Sequence, residues 1–194
     1  KATRKKDRES SGHDWNAIFI NLNLVRDEIK EYFPYKVIDV DGAEADDIIA
    51  VLLMNRGEVK NIIVSSDKDF IQLHCAAVDQ YSPVSKKLIN GKDPLLYIRE
   101  HILKGDRSDG VPNVLSDDNV FVEGRRQRPL SKKKLNELIC AGFLYTSLND
   151  EEKKNYARNR KLIDLTCIPQ ELEEKIKSEF DNIKVATRDK ILNY

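Results

Sequence analysis

Two stretches concentrate the residues that can do chemistry. Val37-Ile38-Asp39-Val40-Asp41-Gly42-Ala43-Glu44-Ala45-Asp46-Asp47-Ile48-Ile49 and Ile62-Ile63-Val64-Ser65-Ser66-Asp67-Lys68-Asp69-Phe70 are both β-branched apolar runs that end in carboxylates. A third group, Asp106 and Asp109, stands in the short turn Gly105-Asp106-Arg107-Ser108-Asp109-Gly110. In open α/β sheets the site lies beyond the carboxyl ends of the strands, where these acids would gather. Carboxylates that converge with no His or Cys beside them in sequence are ligands for a hard cation, Mg²⁺ or Mn²⁺. Taken singly, an acid at a helix start or a turn is more often a cap than a ligand. Three clusters, each at the end of a core element, are harder to explain as capping.

The elements that must position these acids read as follows. Asp14 caps an amphipathic helix whose apolar residues Trp15, Ile18, Leu22, Val25, Ile29, Tyr32 and Phe33 recur at i+3/i+4 steps until Pro34. Tyr35 to Val40 is expected as a first strand, Ala45 to about Asn55 as a helix and Asn61 to Ser66 as a second strand, a β-α-β unit. Glu44 then sits at the strand-to-helix junction, with Asp46 and Asp47 in the first helical turn. Phe70 to Leu73 reads as a short helix, with strands at 78–82 and 87–90 around Ser82-Pro83. Asp93 and Pro94 open a helix that Gly105 ends. The chain is then loop-like to about Pro129, and helical over 131–140, 150–165 and 170–180. The fold class is α/β, a mixed and mainly parallel central sheet with flanking helices, followed by a helical lobe. The composition shift near Asp109 sets the expected boundary.

Charge is balanced overall, 33 basic against 33 acidic residues, but it is segregated. Residues 39–69 hold eight acids and three bases, whereas Gly124 to Lys134 hold six bases (Arg125, Arg126, Arg128, Lys132, Lys133, Lys134) and no acid. An acidic metal pocket flanked by a basic surface suits a polyanion, and the alternative for the basic stretch is a solvated face. No apolar run reaches membrane-span length and the basic N-terminus has no signal-peptide core, so no membrane is expected and the cytoplasm is the expected compartment. Cys75, Cys140 and Cys167 are widely spaced and read as reduced thiols; His13, His74, His101 and Trp15 read as structural.

The motifs Glu44-Ala45-Asp46-Asp47, Ser65-Ser66-Asp67-Lys68-Asp69-Phe70 and Leu103-Lys104-Gly105-Asp106-Arg107-Ser108-Asp109 resemble those of the 5' nucleases of the flap endonuclease type, in the branch of the T-even phage ribonucleases H. The resemblance continues through Tyr156 to Leu165 and Ile168-Pro169. It implies a PIN-like 5' nuclease core at 34–109, a remnant of a basic arch and amphipathic helix at 1–33, and a helical duplex-binding lobe at 110–194. It also implies two Mg²⁺ ions, Mn²⁺ substituting, with Glu44, Asp46 and Asp47 near the first and Asp67, Asp69, Asp106 and Asp109 near the second. Lys5, Lys6 and Arg8 would guide a displaced strand; Lys104 and the 125–134 bases would hold duplex phosphates. The implied activity is metal-dependent 5' to 3' hydrolysis of phosphodiesters in RNA–DNA hybrids, duplex DNA and 5' flaps, as in primer removal during phage replication. A single-stranded-DNA-binding protein and a sliding clamp are the implied partners at the fork, and a monomer the implied state of the complete protein. Relative to the family pattern the chain looks trimmed at both termini, and Gly110-Val111-Pro112-Asn113-Val114 replaces the family's Gly-Ile-Gly hairpin. That leaves more of the duplex contact to side chains. Two other readings stay open from the residues alone: an Asp-x-Asp phosphohydrolase of small esters, and a structure-selective DNA-binding module without catalysis.

Overall fold

The structure is a computed structural model and describes residues 11–55, 57, 59–90, 93–140 and 144–193. Helix α1 (Trp15–Tyr32) starts at Asp14, whose carboxylate accepts from the Ala17 N–H at 3.0 Å. Helix α2 spans Ala45–Met54 with Asp46 and Asp47 in its first turn, where the helix dipole favours negative charge. Strands β1 (Asn61–Val64), β2 (Val78–Ser82) and β3 (Lys87–Leu88) form a three-stranded mixed sheet in that order. β1 and β2 are parallel, with Ile63 opposite Gln80, and β2 and β3 are antiparallel, with Tyr81 opposite Leu88. A short 3₁₀ helix, Lys68–Leu73, lies between β1 and β2. Helices α3 (Pro94–Lys104), α4 (Lys132–Cys140), α5 (Asp150–Ile163) and α6 (Gln170–Asn182) follow.

The chain divides into two compact units, one of Ala45–Gln170 and one of Lys1–Glu44 with Glu171–Tyr194. In the first, Ile63, Phe70 and Val78 are buried between the sheet and α2, with Ile49 and Leu53 against them. A second cluster joins Leu103 of α3 to Val114, Leu135, Leu138 and Leu148. The packing therefore runs across Asp109, where a composition shift had pointed to a boundary.

The expected strand at 35–40 is absent from the sheet among the described residues. A strand exists only through the partners of its backbone groups, and this segment is engaged otherwise. Tyr35 stacks on Phe33 with centroids 6.1 Å apart, and Lys36 donates to the Phe180 carbonyl while its Nζ lies 3.8 Å from the Phe180 ring centroid. The β-α-β unit is thus realised without its first strand.

Helix α5 clamps the turn that follows α3. The fully buried Asn159 amide donates to the carbonyls of Ile102 (2.9 Å) and Pro112 (2.7 Å), and Asn155 donates to that of Val114 (3.0 Å). Asn159→Leu would take this donor from the Ile102 carbonyl and leave the Pro112 carbonyl only the longer bond from Arg158 Nη2 (3.4 Å), so it should cost about 2–4 kcal/mol. A urea midpoint that barely moves would show that these bonds are replaced at no cost.

Candidate metal centre

Three local devices bring the acids together. The first is Gln80, on β2 and fully buried, which donates to the Ser65 (2.9 Å) and Asp67 (2.6 Å) carbonyls and so fixes the turn leaving β1. Its Oε1 lies 2.8 Å from His74 Nε2, which gives that histidine a partner inside the fold. The second is Asp67 itself: its carboxylate accepts from the Asp69 N–H (3.0 Å), which starts the 3₁₀ helix and sets the two acids side by side. The third is the turn after α3. Gly105 ends the helix at φ 67°, ψ −179°, and Asp106 accepts from Ser108 N–H (2.7 Å), Ser108 Oγ (2.5 Å) and Asp109 N–H (3.3 Å).

The result is a shared field of like charge within the Ala45–Gln170 unit. Burial pushes the Asp69 carboxyl above the ordinary carboxylate range, against the pull of His101, and Asp67, Asp106 and Asp46 add to the rise. Burial likewise pushes Asp46 up, with Asp67, Asp47 and Asp109 adding repulsion against the relief of its own backbone hydrogen bond. For Asp106, burial acts upward too, but the bonds from Ser108 and Asp109 and the proximity of His101 outweigh it and leave the carboxyl low. Tyr97, burdened by burial and by Asp69 and Asp67, and hydrogen-bonded to Asp69, is pushed up to about 12. Asp46, Asp47, Asp67, Asp69, Asp106 and Asp109 therefore act on one another. Glu44 is exposed and immediately precedes α2.

The donor set fits a hard divalent cation. Among the described residues no Lys or Arg is ion-paired with Asp46, Asp67, Asp69 or Asp106, and uncompensated carboxylates at this density favour bound metal. The tightest group comprises Asp69, His101 and Asp106, with one ligand atom from each within 4.8 Å of the others. His101 Nδ1 lies 3.5 Å from Asp69 Oδ1 and Nε2 3.5 Å from Asp106 Oδ2. His101, which reads as structural in the sequence, thus stands against two of the acids in the fold. The signal was available: Tyr97 and His101 are four apart on a helix that ends at the acidic turn, so one face must look onto the acids.

The predicted polyanion-binding residues are placed less uniformly. Lys5, Lys6 and Arg8 lie outside the described residues. Lys104 is exposed and paired with Glu100. Arg125 is held by Asn119 (2.6 Å), Glu123 (2.8 Å) and Asp117 (3.6 Å), and Arg128 reaches Asp117 at 3.9 Å. Arg126, Lys132 and Lys133 are exposed and Lys134 is half-buried. Buried Asn113 and Ser116 anchor this stretch: Asn113 Nδ2 donates to the Arg128 carbonyl (2.9 Å) and Arg128 N–H to Ser116 Oγ (2.9 Å).

Residues 3–99 match the family described as 5'-3' exonuclease, N-terminal resolvase-like domain, and residues 93–194 match T4 RNase H, C terminal. The chain is 38% identical over 205 residues to the Ribonuclease H of Enterobacteria phage T4, covering all of this chain and 67% of that protein. Among solved structures it is similar to bacteriophage T5 flap endonuclease in complex with DNA and metal ions, at TM-score 0.59 and 19% identity, over 93% of this chain and 75% of that one. It is also similar to the T5 protein co-crystallised with metal ions, at TM-score 0.51 and 17% identity, over 77% of this chain and 64% of that one. Those two likenesses show the fold, whereas the family matches and the T4 relative show descent: the chain belongs to the 5'-3' exonuclease family, in the branch that carries the T4 RNase H C-terminal region.

Proposed function

We propose that this chain is the divalent-metal-dependent nuclease core of a 5' to 3' exonuclease and flap endonuclease with ribonuclease H activity. The observation that carries the proposal is the convergence of Asp46, Asp67, Asp69 and Asp106 with no Lys or Arg ion-paired to them among the described residues. Asp67, Asp69, Asp106 and Asp109 would hold one ion, and Asp46, Asp47 and Glu44 would face a second. Mg²⁺ is the cofactor this oxygen-rich set favours, with Mn²⁺ as substitute. Bound there, divalent ions supply Lewis acidity toward a phosphodiester and a more acidic water. The protein's own part is to position. Gln80 fixes the Asp67 turn, Ser108 and the Asp109 amide orient Asp106, and Tyr97 orients Asp69 by its hydroxyl.

The substrate is DNA or RNA–DNA hybrid with a 5' end or flap, a reading supported by the T5 relative in complex with DNA. Activity in the host cytoplasm, alongside a single-stranded-DNA-binding protein and a sliding clamp, belongs to the same proposal. A labelled 5' flap and a labelled hybrid, incubated with the chain with and without Mg²⁺, test it. Cleavage that needs Mg²⁺ is expected. Hydrolysis of small phosphate esters instead would favour an Asp-x-Asp phosphatase, and binding without cleavage at any ion concentration would favour a DNA-binding module.

The basic surface makes a separate prediction. Arg125 and Arg128 are partly neutralised by Asp117 and Glu123, whereas Arg126, Lys132 and Lys133 have no described acid partner. Replacing the last three with Ala should therefore weaken duplex binding at every sequence and flatten log K against log[salt] by up to roughly 0.9 per lost contact. The Arg125→Ala/Arg128→Ala pair should change the slope less. Equal slopes in all proteins would make the stretch a solvated face.

A further inference from the structure

Helix α5 is gripped twice, and each grip reaches a segment that carries acids. Along its length, Asn159 donates to the Ile102 (2.9 Å) and Pro112 (2.7 Å) carbonyls and Asn155 to that of Val114 (3.0 Å), on either side of Asp106 and Asp109. At its C-terminal end the partner is Gln72, from the 3₁₀ helix Lys68–Leu73 that also holds Asp69. The Gln72 amide donates to the Ile163 carbonyl (3.2 Å) and accepts from the Leu165 N–H (2.9 Å), residues 91 and 93 positions away in sequence. Ile163 is the last residue of α5 and Leu165 the first of a short 3₁₀ helix, Leu165–Cys167. One side chain thus satisfies a carbonyl and an N–H of the kind that helix ends leave without partners. A carbonyl at one end and an N–H at the other fix which way the amide points, and no titrating group takes part.

The two grips share one spacing. In a 3₁₀ helix side chains three apart eclipse, so Gln72 stands one turn beyond Asp69 on the same side. Along α5, Asn159 and Ile163 are likewise one turn apart, roughly 6 Å of rise. The same segments share the apolar cluster of Ile102, Val111 and Ile163, with Ile98 and Tyr156 packed against it. We propose that Gln72 is a positioning residue for the metal centre: its amide locks the 3₁₀ helix to the end of α5 and, through the turn from Asn159 to Ile163, sets the separation of Asp69 from Asp106. This rests on the reading of the acid cluster as a divalent-ion site. Carboxylates that repel one another when empty need a scaffold to keep them at ligating distance, and Gln72 supplies one without adding charge. Outer partners that orient metal ligands in this way are worth about 10–100-fold in affinity.

The test is calorimetric titration of the full chain with Mn²⁺ in wild type, Gln72→Met and Asn149→Ala. Gln72→Met keeps the size of the side chain and removes both bonds, whereas Asn149→Ala removes the N-cap at the opposite end of α5 and loosens the helix without touching the grip. Gln72→Met should bind Mn²⁺ at least ~10-fold more weakly, while Asn149→Ala stays within about twofold of wild type. Coupling is reciprocal, so the ion must also strengthen the grip. Saturating Mg²⁺ should slow hydrogen exchange of the Leu165 N–H at least ~5-fold more than that of the Glu152 N–H, which is bonded to Asn149 at the far end. Equal Mn²⁺ affinity in Gln72→Met and wild type would overturn the inference and leave the metal site standing, as would losses of the same size in both variants. No ion bound by the wild type would overturn both this inference and the function proposed above. If Gln72→Met proves unstable, the wild-type exchange rates decide, and a Leu165 N–H slowed no more than that of Glu152 would overturn the inference.

Discussion

Asp69→Asn should cut Mg²⁺-dependent cleavage by at least ~10²-fold, the scale of losing one positioned charge-stabilising group, and should at the same time make the metal-free protein more stable. The two effects have one cause. Asp69 and Asp46 both have carboxyls raised above the ordinary value of 3.8, burial being the largest reason and neighbouring acids the next. A raised acid binds its proton more tightly folded than unfolded. Each is thus a net cost at neutral pH, a cost that fades as pH falls through the raised value and is gone below the unfolded one. Asp106 runs the other way: its lowered carboxyl contributes stability above the unfolded value, lost as pH falls through the folded one. An amide at 69 mimics the neutral acid and removes the repulsion, but offers an ion little. For the wild type, an ion at 100 times its Kd adds about 2.7 kcal/mol, or roughly 5–10 °C in Tm for a chain of this size. Asp69→Asn should melt higher than wild type without ions at pH 7, and should gain little from Mn²⁺. A variant that melts lower than wild type in chelator would show that the carboxylate is structurally satisfied.

Gly105→Ala should destabilise the fold by at least ~3 kcal/mol and abolish cleavage. At φ 67° and ψ −179° the backbone occupies a region essentially confined to glycine, worth about 1–3 kcal/mol of strain in any other residue. Space compounds the strain. A Cβ there would lie 2.3 Å from the Val111 carbonyl oxygen and 2.4 Å from that of Pro112. Neither can yield freely, because Val111 N–H donates to the Asp106 carbonyl at 2.6 Å and Asn159 holds the Pro112 carbonyl. Relief must come from the turn that carries Asp106 and Asp109. Urea denaturation and single-turnover cleavage would read the two losses. Native stability in this variant would mean that the turn is softer than its hydrogen bonds imply.

Much of this arrangement is written locally. Asp14, Asp93 with Pro94, and Gly105 mark helix ends by backbone chemistry that needs no distant partner, and α1 begins, and α3 begins and ends, where those residues put them. The acids, too, stand out because each cluster closes an apolar run. What local pattern does not carry is partnership. Tyr35 to Val40 has the composition of a strand, yet Lys36 is engaged by Phe180, far along the chain. Gln80 reads as an ordinary polar residue of a strand, and only the fold shows its amide holding the Asp67 turn. His101 has no acid at metal-ligand spacing in sequence and meets Asp69 and Asp106 only through the packing of α3. Leu103 is likewise followed by a change in composition, while its side chain shares a core with Val114, Leu135 and Leu138, a partnership the local pattern does not show.

Whether these carboxylates hold divalent ions is decided by a crystal structure of the full chain grown with Mn²⁺, with anomalous scattering used to locate the metal. An anomalous peak is expected between Asp69 and Asp106, within coordination reach of Asp67 or Asp109, and it should disappear in Asp69→Asn crystals grown under the same conditions. Well-ordered side chains at all four acids in millimolar Mn²⁺ with no peak among them would contradict it.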